Sequence, residues 1–327
     1  GQPDDPEQEK YKVYKYNKGD VVDQAAIDQG APSEVLGDQM LYSVYNDLRP
    51  HTTFDTQPIG VEVQQTVWGY KAPIALAHTI FIRFRIINKG EHDVDSTYLG
   101  AFYDPDLGDA NDDATGCDSA NGFVYVYNGE NTDANYGDAV PAMASDFFQG
   151  PVVPKEGRTA TLPDGTVIPD HQVLYQTGVF YFINGAPIAG LNDPGNGEEA
   201  YFFLQSRRGN GDYWTDPETG ARTKFPLGGD PVKGSGWLFS QLIAPKDIRM
   251  GNATGPFTLA VGDTQDVVLG IVAARGASNL SSITLMKYYD IIAQDAYDKN
   301  FQIASPPPDP VVNKAELDSK IILTWDE

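Results

Sequence analysis

Alternation of apolar and polar side chains predicts β-strands over most of the chain. Between Thr79 and Ile87, one side carries four apolar residues and the other carries Phe81, Arg83 and Arg85. This period of two is typical of a strand with two differently covered faces. Similar segments lie at 11–16, 40–46, 61–70 and 123–127, and continuous apolar runs at 179–183, 201–204 and 267–274 predict strands covered on both faces. Asn-Gly pairs, beginning with Asn121-Gly122, favour tight hairpin turns between strands.

One amphipathic helix is predicted, over residues 282–299. Leu285, Tyr289, Ile292 and Ala296 recur at the spacing of one helical face, and Ser281 is the expected N-cap. We expect this helix to cover one face or edge of a sheet. Many strands, glycine-rich turns and a single C-terminal helix together predict a mainly β fold, an antiparallel β-sandwich of jelly-roll-like form.

Proline content divides the chain near its C-terminal end. Residues 305–310 read Ser-Pro-Pro-Pro-Asp-Pro, a composition that favours a stiff linker. We therefore predict a β-sandwich domain at 1–304, a linker at 305–319 and a further strand at 320–327. Because that strand pattern reaches the last residue, we expect the natural protein to continue.

Charge restricts the partners that this chain can bind. Its 327 residues include 46 acidic and 23 basic side chains, a net charge of −23. Nucleic acids and anionic membranes require a basic surface, so neither is an expected partner. No apolar run reaches the roughly 20 residues of a membrane span, so no membrane insertion is expected. The charge favours cations instead.

The most informative segment is an acidic loop at residues 104–118. Between residues 104 and 138 there are eight Asp, one Glu and no Lys or Arg. Such density is costly unless a cation or water relieves it, and Ca²⁺ prefers six to eight oxygen ligands. The predicted ligands are Asp104, Asp106 and Asp109, which open the loop around Gly108, and Asp112, Asp113 and Asp118, which would complete the shell.

An ordinary acidic loop is the alternative to a calcium site. In that interpretation the Asp side chains cap turns and face solvent. A second acidic segment at 128–133 either folds back on the first or forms a simple hairpin turn. Cys117 lies within the loop, where neighbouring carboxylates would raise its pKa, so we do not expect a catalytic thiol.

Enzyme signatures are weak in this sequence. There is no phosphate-binding glycine loop and no nucleophile elbow, and the four histidines are not closely paired, although a site assembled across the fold stays open. A carboxylate pair for glycoside hydrolysis also stays open, because its spacing is spatial. Trp68, Trp214 and Trp237 either stack on sugar rings or pack in the core. A carbohydrate-binding or carbohydrate-hydrolysing module is therefore the alternative function.

Several segments in order resemble one protein family. They are Gly37-Asp38-Gln39-Met40, Tyr45-Asn46-Asp47, Gly60-Val61-Glu62-Val63-Gln64, Ile80-Phe81-Ile82-Arg83, Ile86-Ile87-Asn88-Lys89-Gly90, the loop at 104–118, Tyr127-Asn128-Gly129, Phe147-Phe148-Gln149-Gly150-Pro151, Gly229-Asp230-Pro231-Val232, Gly236-Trp237, Gly255-Pro256-Phe257-Thr258-Leu259, Gly262-Asp263 and Asn300-Phe301. Together they resemble large secreted surface proteins of bacteria with type IX secretion, a family without known activity. The resemblance implies an extracellular or cell-surface location. It also implies that residues 320–327 begin a truncated fibronectin type III-like or immunoglobulin-like module.

These observations together predict a non-enzymatic, structural or adhesive module stabilised by calcium. Calcium would neutralise the acidic loop and stiffen one end of the sandwich. Expected partners are further copies of the chain, as in a surface assembly or filament, neighbouring modules of the same protein, or a glycan.

Overall fold

The computed structural model describes residues 12–49, 51–54, 56–71, 75–302, 312–318 and 320–325. Its strands, in chain order, are β1 (Tyr14–Asn17), β2 (Gln39–Asn46), β3 (Val61–Gly69), β4 (Thr79–Asn88), β5 (Val94–Tyr103), β6 (Asp113–Asp118), β7 (Phe123–Asn128), β8 (Thr132–Asp133), β9 (Gly137–Asp138), β10 (Ala142–Gln149), β11 (Val152–Thr161), β12 (Val167–Val173), β13 (Gly178–Ile183), β14 (Trp214–Thr215), β15 (Arg222–Thr223), β16 (Ile248–Leu259), β17 (Thr264–Ala274), β18 (Val312–Leu317) and β19 (Lys320–Trp325). Its α-helices are α1 (Gln24–Ile27), α2 (Gly197–Leu204) and α3 (Asn279–Asp298).

Two antiparallel sheets form the body, which confirms the predicted mainly β sandwich. The large sheet has eight strands in the order β1-β2-β3-β4-β17-β10-β7-β6. The small sheet has three, in the order β13-β16-β5. Strands distant in sequence thus become neighbours, as β4 and β17 show. The pairs β8–β9, β11–β12, β14–β15 and β18–β19 form separate two-stranded sheets.

The small sheet packs on one face of the large sheet, which we call the inner face. Phe147, Val267 and Leu269 of the large sheet form an apolar cluster there with Leu99 and Ala101 of β5. A buried polar bridge also joins the sheets: the Ser145 hydroxyl contacts the Tyr103 hydroxyl at 2.8 Å, and the Asn252 amide donates to the Ser145 carbonyl at 3.0 Å. This bridge fixes β10 against β5 and β16.

Helix α3 covers the opposite, outer face of the large sheet, as its amphipathic pattern predicted. The buried residues Met286, Ala293 and Tyr297 belong to the main core cluster together with Phe81 and Phe148 of the sheet. The predicted N-cap was wrong, because the helix begins three residues earlier. The cap is Ser278, whose side chain accepts the Ser281 backbone N–H at 3.1 Å.

Residues 201–204 were wrongly predicted as a strand, because they form the last turn of α2. Asn196 caps this helix by accepting the Glu199 backbone N–H, and two glutamates in the first turn complement the positive end of the helix dipole. The side chain of Phe203 packs against Phe180 and Phe182 of β13. A four-residue apolar run cannot distinguish a buried strand from one buried helix face.

The C-terminal segment forms a two-stranded hairpin. Strand β19 begins where the sequence predicted a strand, and it pairs with β18 from Leu317↔Lys320 to Val312↔Trp325. Residues 312–317, which the sequence analysis assigned to the linker, are therefore extended and paired. The proline-rich part of the predicted linker, 305–310, lies outside the described residues.

In the described part of the chain, no helix combines the length and the apolar character that crossing a bilayer requires.

Candidate metal site

Three carboxylates converge at one end of the small sheet. Asp104 and Asp106 directly follow β5, and Asp247 directly precedes β16. Because β5 and β16 are antiparallel neighbours, with Tyr103 opposite Met250, the end of one strand lies beside the start of the other. One carboxylate oxygen from each of the three aspartates lies within 4.8 Å of the other two. Antiparallel pairing thus builds a cluster from residues about 140 positions apart in the sequence.

An arginine on β16 neutralises part of this cluster. The Arg249 Nε lies 3.1 Å from Asp104 Oδ1, and its Nη1 lies 2.8 Å from Asp247 Oδ1. Asp193 approaches the same guanidinium at 3.7 Å. Three carboxylates therefore contact one guanidinium, and Asp106 lies beside two of them, so these four carboxylates exceed the one cation by three negative charges. Partial burial lowers the pKa of Arg249, but the charges of Asp104, Asp247 and Asp193 together outweigh burial and hold the pKa above its usual value.

The three carboxylates differ in how fully they are engaged. The second oxygen of Asp247 accepts the Asn184 side-chain amide at 2.9 Å, whereas its first oxygen lies close to Arg249 as an ion pair without hydrogen-bond geometry among the described residues. Asp106 is exposed and makes no ion pair or side-chain hydrogen bond with any described residue. Carboxylate oxygens from two separate chain segments are ligands that Ca²⁺ prefers. Arg249 and Asn184 would hold two of the ligands in place, while Asp106 is available to the ion.

Three of the predicted ligands lie away from this cluster and instead make hydrogen bonds within the acidic loop and to neighbouring residues. Asp109 accepts the Asn111 backbone N–H at 3.0 Å, and Asp112 accepts the Asn128 amide at 2.6 Å. Asp113 is buried at the start of β6, where one oxygen accepts the Leu107 backbone N–H at 3.1 Å. The contact of Asp109 is the turn-capping role that the alternative interpretation gave to the loop, whereas Asp112 and Asp113 bond to residues outside a local turn and Asp113 does not face solvent.

Asp133 closes the loop from the second acidic segment, which does fold back on the first. Its carboxylate accepts the backbone N–H groups of Asp109, Asn135 and Tyr136 at 2.7–2.8 Å. These hydrogen bonds lower the pKa of Asp133. Burial raises the pKa of Asp113 to about 8, with smaller contributions from neighbouring carboxylates. Asp133 is therefore firmly ionised, whereas Asp113 readily holds a proton.

The sixth predicted ligand, Asp118, lies at the far end of β6. Its carboxylate forms an ion pair with Lys287 of α3 at 2.8 Å. Burial raises the pKa of Asp118, but the hydrogen bond and charge of Lys287 outweigh burial and hold the pKa below its usual value. Among the described residues, the six predicted ligands thus do not form one shell: only Asp104 and Asp106 belong to a cluster of three metal-ligating side chains.

No protein-family model and no curated protein matches this chain.

The structure disfavours two roles considered from the sequence, sugar stacking by the tryptophans and a reactive thiol. The three tryptophans considered for sugar stacking, Trp68, Trp214 and Trp237, are all buried, and Trp214 packs edge-on against Trp237 at 5.8 Å between ring centroids. Cys117 is buried and donates to the Pro226 carbonyl at 3.3 Å. Burial raises its pKa to about 12, so the thiolate form that a nucleophile needs is scarce.

A buried carboxylate pair under α3 was missed by the sequence analysis. Asp146 of β10 and Asp290 of α3 are only 2% and 1% exposed. Burial, followed by the charge of Asp290, raises the pKa of Asp146 well above its usual range, and burial raises the pKa of Asp290 to about 8. One oxygen of Asp290 is buried without a hydrogen-bond partner among the described residues. The pair therefore holds protons at neutral pH, and Lys287, one turn before Asp290, is a cation that acts on Asp290.

Proposed function

We propose that this chain is a non-enzymatic structural module of an extracellular or surface protein, stiffened by a calcium ion. The convergence of Asp104, Asp106 and Asp247 within 4.8 Å carries this proposal. An ion at that point joins the loop after β5 to the loop before β16, so it ties together the end of the small sheet. Asp109, Asp112 and Asp113 support the site indirectly, because they hold the acidic loop in one conformation.

Excess charge gives the ion its stabilising effect. Without a cation, three uncompensated negative charges repel one another at the end of the sheet. A ligand that binds only the folded state adds RT ln(1+[L]/Kd), about 2.7 kcal/mol at a hundredfold excess over Kd. Extracellular calcium is abundant, so an exported module would be saturated by a site of modest affinity.

Removing the exposed ligand is expected to weaken calcium binding without unfolding the protein. In isothermal titration calorimetry, Asp106→Ala should lower calcium affinity at least tenfold, because one lost charged ligand is worth about 1.4 kcal/mol or more. Asp193→Ala is the matched control: it removes a carboxylate that faces the same arginine but lies outside the three-ligand cluster. Equal affinities for both variants and the unmodified protein would exclude this site.

Glycan binding is a second candidate, favoured by a polar cleft on the outer face of the large sheet. The cleft has a volume of about 670 Å³ and is lined by Asn46, Glu62, Gln64, Arg85 and Lys89, among others. Lys89 pairs with Glu62 at 2.5 Å, while the buried oxygen of the Gln64 amide makes no hydrogen bond with any described residue. The lining of the cleft carries both positive and negative side chains, so the cleft suits a neutral, hydroxyl-rich ligand.

Substitution of two neighbouring glutamines tests whether the cleft binds glycans. Gln64 faces the cleft, whereas Gln65, the next residue of β3, points to the inner face. On a glycan array, any binding should fall about tenfold in Gln64→Leu, the cost of one or two lost hydrogen bonds, and stay unchanged in Gln65→Leu. Absence of glycan binding by the unmodified protein would remove this second candidate.

A further inference from the structure

The ion pair between Lys287 and Asp118 is the best shielded lysine–carboxylate pair among the described residues. Its two side chains are only 25% and 16% exposed, and Lys287 Nζ lies 2.8 Å from Asp118 Oδ2. In every other such pair the lysine is more than half exposed. The pair joins α3 to the end of β6 across a sequence separation of 169 residues. An amine and a carboxyl group are therefore held in contact in a largely buried place.

Two aromatic rings of β7 pack beside the lysine amine. Lys287 Nζ lies 5.6 Å from the ring centre of Phe123 and 5.2 Å from that of Tyr125, and both aromatic residues are fully buried. Exposed pairs stay ionic because water solvates both charges. In a water-poor interface that solvation is reduced, so proton transfer within the pair gives a neutral amine and a neutral carboxylic acid at lower cost.

The carboxyl group of Asp118 is held in an orientation that suits attack by the amine. Its Oδ1 accepts the Asn121 backbone N–H at 3.1 Å, whereas its Oδ2 faces Lys287. The N–H group would stabilise the negative charge that Oδ1 gains when a nucleophile adds to the carboxyl carbon. Reacting groups fixed in contact reach effective molarities of roughly 10⁵–10⁸ M, which favours a condensation that free molecules in water resist.

Asp290 supplies an acid near this pair. It follows Lys287 by three residues in α3, so the two side chains lie on the same face of the helix. Asp290 is 1% exposed, and one of its oxygens has no hydrogen-bond partner among the described residues. Burial raises its pKa to about 8, and the charges of Asp118 and Lys287 also act on it. At neutral pH it therefore carries the proton that general acid catalysis needs.

We propose that Lys287 and Asp118 condense to an isopeptide bond that joins α3 covalently to the end of β6. Proton transfer within the pair first leaves Lys287 Nζ neutral and Asp118 Oδ2 protonated. The nitrogen then attacks Asp118 Cγ and forms the N–C bond, and the negative charge moves to Oδ1. Asp290 donates its proton to Oδ2, the Cγ–Oδ2 bond breaks, and Oδ2 leaves as water. The nitrogen returns a proton to Asp290, so one amine and one carboxyl group become one amide and one water.

This bond goes beyond the proposed calcium site, because none of its three residues belongs to the metal cluster. A covalent link suits a structural module, since it opposes forces that would pull α3 away from the sheet. The ion pair is the reactant of the condensation. The electrostatic effects of Lys287 and Asp290 on unfolding therefore belong to protein that has not yet condensed, which its full mass identifies.

Intact mass spectrometry of the full chain, followed over time in mildly alkaline buffer, tests the proposal. We expect the mass to fall by one water molecule, and peptide mapping to find the segments around 118 and 287 joined. The joined peptide distinguishes this reaction from water loss elsewhere in the chain. Lys287→Arg keeps the positive charge but should retain the full mass. Lys299→Met, which removes the exposed pair with Asp295, should condense like the unmodified protein, and EDTA should have no effect.

Asp290→Asn separates the role of the acid from a merely structural role. The amide keeps the shape of the side chain but cannot donate a carboxyl proton, so the rate of water loss should fall roughly a hundredfold. The near-ultraviolet circular dichroism of this variant should stay that of the unmodified protein. Equal rates in the two proteins would overturn the role of Asp290. Full mass in the folded, unmodified protein after prolonged incubation, with no joined peptide, would overturn the proposal itself.

Discussion

Replacing Lys287 by methionine is expected to destabilise the fold by about 3 kcal/mol at pH 8. Lys287 pairs with Asp118 at 2.8 Å, and its ammonium lies 5.2 Å from the centre of the Tyr125 ring. Its charge also opposes the burial that raises the pKa of the Asp290 carboxyl. Methionine preserves the packing of the alkyl stem but leaves negative charge uncompensated in a water-poor interface, which costs a few kcal/mol. Urea unfolding measures the loss directly.

A surface lysine on the same helix gives the control. Lys299 pairs with Asp295, and both side chains are about 60% exposed. Because exposed ion pairs contribute at most about 1 kcal/mol, Lys299→Met should change stability by a few tenths. The loss in Lys287→Met should shrink toward pH 5, where protons replace the missing cation. It should also be partly recovered by adding Asp118→Asn. Equal losses for the two lysine variants would show that Lys287 has no special electrostatic role.

Asp290→Asn is expected to act in the opposite direction and stabilise the protein by about 2–4 kcal/mol at pH 8. Asp290 is 1% exposed, one of its oxygens has no hydrogen-bond partner among the described residues, and burial raises its pKa to about 8. In the unfolded chain the same carboxyl has a pKa near 3.9, and each unit of difference is worth about 1.4 kcal/mol. An amide keeps the shape of the side chain and removes the buried charge.

The sign of the pH dependence follows from the raised pKa. A carboxyl whose pKa is higher in the folded state stabilises that state fully below about pH 4, and this contribution is lost as pH rises toward 8. The unmodified protein should therefore lose stability from this group between pH 4 and 8, whereas Asp290→Asn should not. The difference between their unfolding free energies should grow with pH. Asp295→Asn, at an exposed position of α3, should show no such growth. A constant difference across the range would contradict the buried charge.

Much of the fold could be predicted because local patterns and the final packing agree. Strand β4 shows its alternation in the sequence, and the structure pairs it with β3 and β17 on its two edges. The start of α3 was predicted wrongly because Ser278 and Ser281 are equally good caps by type. In the structure Ser278 and Ser281 form a reciprocal capping box, and the Asn279 side chain adds a long-range contact by donating to the Asn128 carbonyl at 2.9 Å. That contact spans about 150 residues, so no local pattern contains it.

The candidate site could be only half predicted, for a similar reason. The density of aspartates in the acidic loop marks Asp104 and Asp106, but Asp247 joins them only through the pairing of β5 with β16. Within the loop, sequence alone cannot separate a metal ligand from a turn cap, since both are aspartates. Asp290 was predictable in principle: it follows Met286 by four residues and precedes Ala293 by three, so it lies within the apolar stripe of α3.

We propose that a divalent ion bound at Asp104, Asp106 and Asp247 is part of the folded state. Calcium would both neutralise the cluster and join two loops that β-sheet hydrogen bonds alone leave untied. Magnesium should be a poorer substitute, because it demands a tighter octahedral shell and gives up its waters reluctantly. The free energy of unfolding should therefore depend on calcium concentration more strongly than on ionic strength.

A thermal melt of the unmodified protein in calcium, in magnesium and in EDTA, with metal analysis of the purified sample, measures whether the folded state contains calcium. Saturating calcium should raise the midpoint by about 5 °C or more over EDTA, the shift expected for 2–3 kcal/mol in a domain of this size. Magnesium should give a smaller shift, and the purified sample should contain close to one calcium per chain. Identical melting curves in calcium and EDTA, with no bound metal, would show that the folded protein does not bind calcium.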